Sequence, residues 1–511
     1  MTFYITTPIY YVNDTPHIGH AYTTVVADIL ARYHRLFGHE TYFLTGTDEH
    51  GQKVQNKAKE LQRDPLEYVN EMAPRFQAVW SELNIQYDIF MRTTFPYHIK
   101  AVQDGLQKLF DKGDIYTKTY GGWYCVSEEI FFTDKDIKDG KCPQGHNVQH
   151  VEEKNYFFAM SKYQQRLIDY INTNKDFILP EYRKNEVLGF LRQPLEDLCI
   201  SRPKNRLSWG IELPFDKDYV TYVWFDALMN YATALGLYQP GKDEKFNKFW
   251  RHAIHLIGKD ILTTHAVYWP TMLMAQNIPL PKTIFAHGWW LTEGNQKMSK
   301  SLGPVVKPLD MKNVVGADAL RYFLARDINL GNDAQFSQDL VISRVNAELA
   351  NNLGNLLSRS TNLVSKYFGD KVPSPVQTHD LSKALAASAV TVAEKVKQEI
   401  LDHAPNLALG HVVDLLNEAN KYLENMAPWK SAKTDLKITG EVLYTALEVL
   451  RIAGILMHPV MPSKMNELLK RVGWASTPRF EDAKKWGLLQ EGAAVEKGDP
   501  LFPRVEAPAT A

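Results

Sequence analysis

FYITTPIYYVNDTPHIGHAYTTVVADILARYHRLFGHETYFLTGTDEHG, residues 3–51, reads as strand, helix, strand. Residues 3–7 form a short extended run, and Asn13, Asp14 and Pro16 mark a turn. Val25, Ile29, Tyr33 and Leu36 or Phe37 then recur at helical spacing until Gly38. Thr41 to Thr45 form a second extended run, which stops at Gly46-Thr47-Asp48-Glu49-His50-Gly51. That order is a βαβ unit, so the fold class is α/β with a parallel sheet. Ligands of such open sheets bind beyond the carboxyl ends of the strands, and His17, His20 and Asp48 are therefore expected to converge on one crevice.

Outward from this unit, 511 residues are too many for one core and imply about three domains. A hydrophobic fraction of 45% is enough to bury them. Lys+Arg 58 against Asp+Glu 59 leaves a net charge of -1, which excludes the global basic field of a DNA-coating protein. Any nucleic-acid contact has to be local. Three cysteines, Cys125, Cys142 and Cys199, cannot build a disulfide framework and fit a reducing compartment. The N-terminus has no basic and apolar leader, and no stretch approaches a membrane span, so a cytoplasmic protein without membrane contact is expected.

Residues 1–119 read as the first half of the parallel-sheet domain. An aromatic, Gly-rich and charged insert over 120–155 reads as a small knuckle-like lobe. The sheet resumes over 156–338, where Tyr219 to Phe225 and His255 to Gly258 look like buried strands. From 339 to 480 Leu, Val and Ala repeat at three- and four-residue spacing, which predicts an all-helical domain. Residues 481–511 read as a C-terminal tail.

His17-Ile18-Gly19-His20 alone fits N-capping or surface histidines, or a metal pair, as well as catalysis. Lys297-Met298-Ser299-Lys300-Ser301 alone fits a solvated basic loop. Together they resemble the paired signatures of the class I aminoacyl-tRNA synthetases. Thr7 to Asn13, Thr45 to Gly51, Val223-Trp224-Phe225-Asp226-Ala227-Leu228 and Leu256 to Ile261 narrow the resemblance to the bacterial methionyl branch, in matching order from about residue 3 to about 465. The resemblance implies a Rossmann-like catalytic domain with an inserted lobe and an all-α anticodon-binding domain. It implies activation of L-methionine by ATP with Mg2+, then transfer to the 3′-terminal adenosine of tRNA(Met).

The implied catalytic residues are His17, His20, Lys297 and Lys300. Gly19, Lys259, Asp260 and Ser299 join them around ATP, where charge develops on phosphoryl oxygens and catalysis is mostly electrostatic. For methionine the resemblance implies Asp48 at the α-ammonium group, with Ile9, Tyr11, Trp224, Ala227, Leu228, Tyr231, Ile261 and His265 around the side chain. Leu228 occupies a position at which related enzymes can carry Pro. Arg202 resembles a position near the amino acid.

The insert departs from the family pattern. Zinc-bearing relatives place two close pairs of Cys or His here, whereas this chain offers Cys125, Glu128, Cys142 and His146. A carboxylate in place of a thiolate and the four-residue spacing degrade a tetrahedral site, so a metal-free knuckle is expected. For the anticodon the resemblance implies Asn355, Arg359, Pro428 and Trp429. On texture alone, Asn355 and Arg359 could brace helices and Trp429 could be core.

A shorter nucleotidyltransferase of the same superfamily and a tRNA-binding paralogue without chemistry are the alternatives. The helical domain opposes the first, and intact His17, His20, Asp48 and motif lysines oppose the second. No Walker-type or dinucleotide loop competes for ATP. With no appended module after the helices, a monomer is expected.

Overall fold

The computed structural model describes residues 1–128, 130–132, 134–292, 294 and 306–506. At its centre lies a parallel sheet of β1 (Thr2–Tyr11), β2 (Glu40–Asp48), β3 (Ile89–Arg92), β4 (Ile178–Leu179), β5 (Ala253–Gly258) and β6 (Thr283–His287). Their spatial order is β3-β2-β1-β5-β6-β4, with every adjacent pair parallel. The strand order reverses between β1 and β5, and the crevice at the carboxyl ends of those two strands is where such folds bind ligands.

Two sequence features set the geometry there. The β1–β2 register runs from Thr2 opposite Glu40 to Tyr11 opposite Asp48, with a shift between Thr6 and Ile9. Pro8 lies at the shift, and its missing N–H cannot join a ladder. At Gly46 a Cβ would lie 2.0 Å from the Met91 carbonyl oxygen, so only glycine lets β2 approach β3. Both strands consequently extend further than the sequence pattern implies, and Asp48 is the last residue of β2.

The helix Ile18–Leu36 connects β1 to β2 and starts at the crevice. Its buried stripe, including Val25, Ile29 and Tyr33, packs on the sheet. Past its end, Gly38 takes a positive φ of 78°.

The sheet does not resume where the apolar run 219–225 implies. Asp216–Thr221 is a strand of a separate three-stranded antiparallel sheet, and Val223–Thr233 is a buried helix. β-branched and aromatic residues suit strands by propensity, but here Trp224, Ala227, Leu228 and Tyr231 follow helical spacing and tertiary packing decides. The inserted lobe is wider than 120–155. Its four-stranded sheet includes Ile115–Cys125, Gln149–Phe158 and Leu198–Cys199.

The C-terminal part is helical, with Asn355–Phe368, Asp380–Leu401 and Pro405–Met426 around Leu436–Met457. Every residue from Thr439 to Met457 is buried, as expected of a helix packed on all sides. This bundle shares one hydrophobic core with a face of the parallel sheet. Tyr33 Oη donates to the Leu456 carbonyl at 2.8 Å, and the fully buried Arg321 donates to the carbonyls of Pro459 and Val460.

The segment after 480 is packed rather than tail-like. Leu489, Val495, Leu501 and Phe502 are buried in the same core. Glu448 accepts the N–H groups of Gly487 and Leu489, while Arg471 donates to the Asp499 carbonyl. Buried helix charges thus anchor a segment with little periodicity of its own. Among the described residues no helix is long and apolar enough to cross a membrane.

Candidate active site

His17 is the N-cap of the helix Ile18–Leu36. Its Nδ1 accepts the N–H groups of Gly19 at 3.1 Å and His20 at 3.3 Å. His20 Nδ1 in turn accepts the His17 N–H at 3.4 Å, and the two rings stack with centroids 3.6 Å apart. A neutral imidazole that accepts through Nδ1 carries its proton on Nε2. Burial, and then proximity to His17, lower the His20 pKa well below the usual histidine value, keeping that ring neutral. Two N–H donors are thereby provided beside a helix N-terminus, where backbone and dipole already favour an anion.

The helix is tied to its surroundings at two further points. Ile18 N–H donates to the Val306 carbonyl at 3.0 Å. Thr23 Oγ1, which also donates to the Gly19 carbonyl, lies 2.7 Å from Nε2 of the buried His287 at the end of β6. Lys297, Ser299 and Lys300 lie outside the described residues.

A second cluster opens beside β1 and β2. The helix Val223–Thr233 presents Trp224, Ala227, Leu228 and Tyr231 on successive turns, and Ile9 and Tyr11 belong to the same apolar cluster as this helix. His265 Nδ1–H donates to the Ile261 carbonyl at 2.9 Å, so its Nε2 accepts the Tyr231 hydroxyl at 2.8 Å. Trp224 stands edge-on to His265, with centroids 6.4 Å apart. Burial pushes the His265 pKa down to about 4, leaving a neutral pair suited to an uncharged side chain. Asp48, 3% exposed, stands at the end of β2 opposite Tyr11 in the sheet.

Lys259 and Asp260 follow β5 directly. Lys259 pairs with Asp333 at 2.6 Å and lies over the Trp289 ring, while Asp260 accepts the Trp289 indole N–H at 3.1 Å. Arg202 is buried between the rings of Tyr124 and Tyr222.

Sequence reasoning gave no role to His50 and Asp226, though both fall inside quoted motifs. The buried Asp226 carboxylate bridges His50 Nδ1 at 2.6 Å and His98 Nε2 at 2.8 Å, and His98 reaches Thr233. Burial opposes ionisation of Asp226, but the two histidines outweigh it and lower its pKa. His98 carries no motif that could have flagged it.

In the inserted lobe three of the four candidate ligands, Cys125, Cys142 and His146, come together, and Glu128 reaches only His146. Cys125 Sγ and Cys142 Sγ are 3.7 Å apart, Cys142 Sγ is 3.7 Å from His146 Nδ1, and His146 Nδ1 is 3.1 Å from Glu128 Oε1. A turn in which Cys142 N–H donates to the His146 carbonyl closes the four-residue spacing. Zn–S bonds of about 2.3 Å in a tetrahedron put sulfurs about 3.8 Å apart, so Cys125, Cys142 and His146 are spaced as three ligands of a possible metal site.

In the helical part, Asn355 and Arg359 lie one turn apart on Asn355–Phe368. The Arg359 guanidinium sits 5.4 Å from the Trp429 ring centroid. Pro428 begins a short helix after Ala427, which has a positive φ of 42°, and that turn leaves Trp429 36% exposed rather than in the core.

A parallel sheet with a histidine-capped helix at its switch point, followed by a helical bundle, defines a class I tRNA synthetase. A family model described as tRNA synthetases class I (M) matches residues 3–151 and 145–361, and one described as the anticodon binding domain of methionyl tRNA ligase matches 372–510. Methionine–tRNA ligase of Caldanaerobacter subterraneus subsp. tengcongensis is 45% identical over 512 residues, covering 99% of this chain and 79% of that one. That of Rickettsia felis is 44% identical over 511 residues and 99% of both chains. The solved structure of Mycobacterium tuberculosis methionyl-tRNA synthetase in complex with methionyl-adenylate superposes with a TM-score of 0.94 at 39% identity, over 99% of this chain and 100% of that one. The chain belongs to the methionine–tRNA ligase family.

Proposed function

We propose that this enzyme activates L-methionine with ATP to methionyl-adenylate and transfers the methionyl group to the 3′-terminal adenosine of tRNA(Met). The observation that carries this reading is the mutually capped His17 and His20 pair at the start of the helix Ile18–Leu36, in a chain that also holds the neutral Tyr231–His265 pair and the buried Asp48 at the end of β2. The methionine carboxylate attacks the α-phosphorus and pyrophosphate leaves. Asp48 holds the α-ammonium group. The Nε2–H groups of His17 and His20 donate to phosphoryl oxygens as negative charge builds. Lys297 and Lys300 act on the same charge by resemblance, and Mg2+ accompanies ATP.

In the second step the adenosine hydroxyl attacks the acyl carbon and AMP leaves. Arg359 and Trp429, with Asn355 nearby on the helix face, supply a ring and donors for unstacked anticodon bases. Cys125, Cys142 and His146 would hold a zinc ion whose part is to close the lobe, with no role in either step. A cytoplasmic monomer fits this reading. Charging of tRNA(Met) by purified enzyme with labelled methionine tests it, and failure to charge that tRNA while charging another contradicts it.

A further inference from the structure

Glu49 stands between Asp48 and His50 and is wholly buried. All its polar atoms are engaged. Its N–H donates to Thr93 Oγ1 at 3.0 Å, and its carbonyl accepts the Trp209 indole N–H at 2.6 Å. Its carboxylate accepts Arg92 Nε at 2.6 Å and Nη2 at 3.0 Å, together with the hydroxyls of Thr47 and Thr94. Arg92 Nη2 also donates to Asn70 at 2.7 Å on the neighbouring helix, Pro65–Glu82.

A buried ion pair of this kind contributes little net stability, because desolvation offsets its attraction. What a fully satisfied, bidentate pair does supply is fixed geometry. Thr47 and Glu49 flank Asp48 in the chain, and their mutual hydrogen bond together with the Arg92 pair fixes the backbone on both sides of it.

We propose that Glu49 and Arg92 are positioning residues for amino-acid selection: together they hold the backbone that aims Asp48 at the substrate ammonium group. This rests on the reading of Asp48 as the ammonium partner. Misplacement of a positioning group by about 1 Å costs on the order of a hundredfold in rate or affinity, and loss of part of the clamp should cost about tenfold.

The test compares L-methionine with 4-(methylthio)butanoate, which lacks the amino group, as ligands of the full-length enzyme. Glu49→Gln keeps the shape and removes the charge; Arg92→Lys, at a partly exposed side chain, serves where the first variant fails to fold. The expected result is about tenfold weaker methionine binding with unchanged binding of the deamino acid and unchanged KM for ATP. Equal weakening of both ligands, or of neither, overturns the clamp. Asp48→Asn separates the two layers: if it leaves the preference for methionine intact, the reading of Asp48 is wrong and the proposal falls with it. Loss of preference in Asp48→Asn alone overturns only the clamp.

Discussion

His17 and His20 hold each other through Nδ1: His17 accepts the N–H of His20, and His20 accepts the N–H of His17. The capping bonds that start the helix therefore set the tautomer of both rings. Fold and chemistry use different nitrogens of the same residues.

Asparagine caps helices about as well as the best N-cap residues, yet has no group that reaches where Nε2–H does. His17→Asn is expected to unfold within a few degrees of the parent while adenylation slows about a hundredfold, the cost of one lost oxyanion-type donor. Calorimetry and single-turnover adenylate formation check this. Near-normal turnover would mean that His17 serves only as a cap.

Stability should fall as pH drops. Burial holds His265 at about 4, and His34, buried and then close to His39, His403 and Lys282, at about 2. The unfolded chain protonates these rings near the ordinary value of about 6.5, so it takes up protons first and gains on the folded state. The loss begins below about pH 6.5 and levels off only below the folded values. For His265 it amounts to on the order of 3 kcal/mol. Urea titrations between pH 8 and 5 should show a falling midpoint, while methionine KM stays flat above pH 6 because the pocket remains neutral. A rising midpoint contradicts the burial argument.

Purified enzyme should contain about one zinc per chain, and Cys142→Ser should lose it. Elemental analysis reads the content directly. Metal-free protein of unchanged melting temperature would restore the expectation drawn from the ligand spacing alone.

Trp429→Ala should depress tRNA charging by about one to two orders of magnitude, given ~1–3 kcal/mol per stacked base. Pyrophosphate exchange should stay near the parent value, because the ring is exposed and its neighbour is Arg359. A parallel fall in both assays would assign Trp429 a role in the shared core.

The βαβ unit and the helical half were legible because period and turn chemistry report them locally. Val223 to Phe225 misled because strand propensity yields to packing, and the two-residue strand Ile178–Leu179 is too short to carry any period. Residues 484–506 lack periodicity yet are held by Glu448 and Arg471, contacts that no local pattern encodes. In the site, Asp48 and the pocket helix came from motifs. The clamp at Glu49 and the Asp226 bridge required knowing which elements adjoin, since His98 and Asp226 lie on different helices 128 positions apart.

Pyrophosphate exchange into ATP, run with each of the twenty amino acids in the absence of tRNA, isolates methionine activation. Exchange should depend on L-methionine, collapse in His20→Ala, and lose its methionine dependence at low concentration in Asp48→Asn. Exchange driven best by another amino acid, or none with methionine while the enzyme is folded, would contradict it.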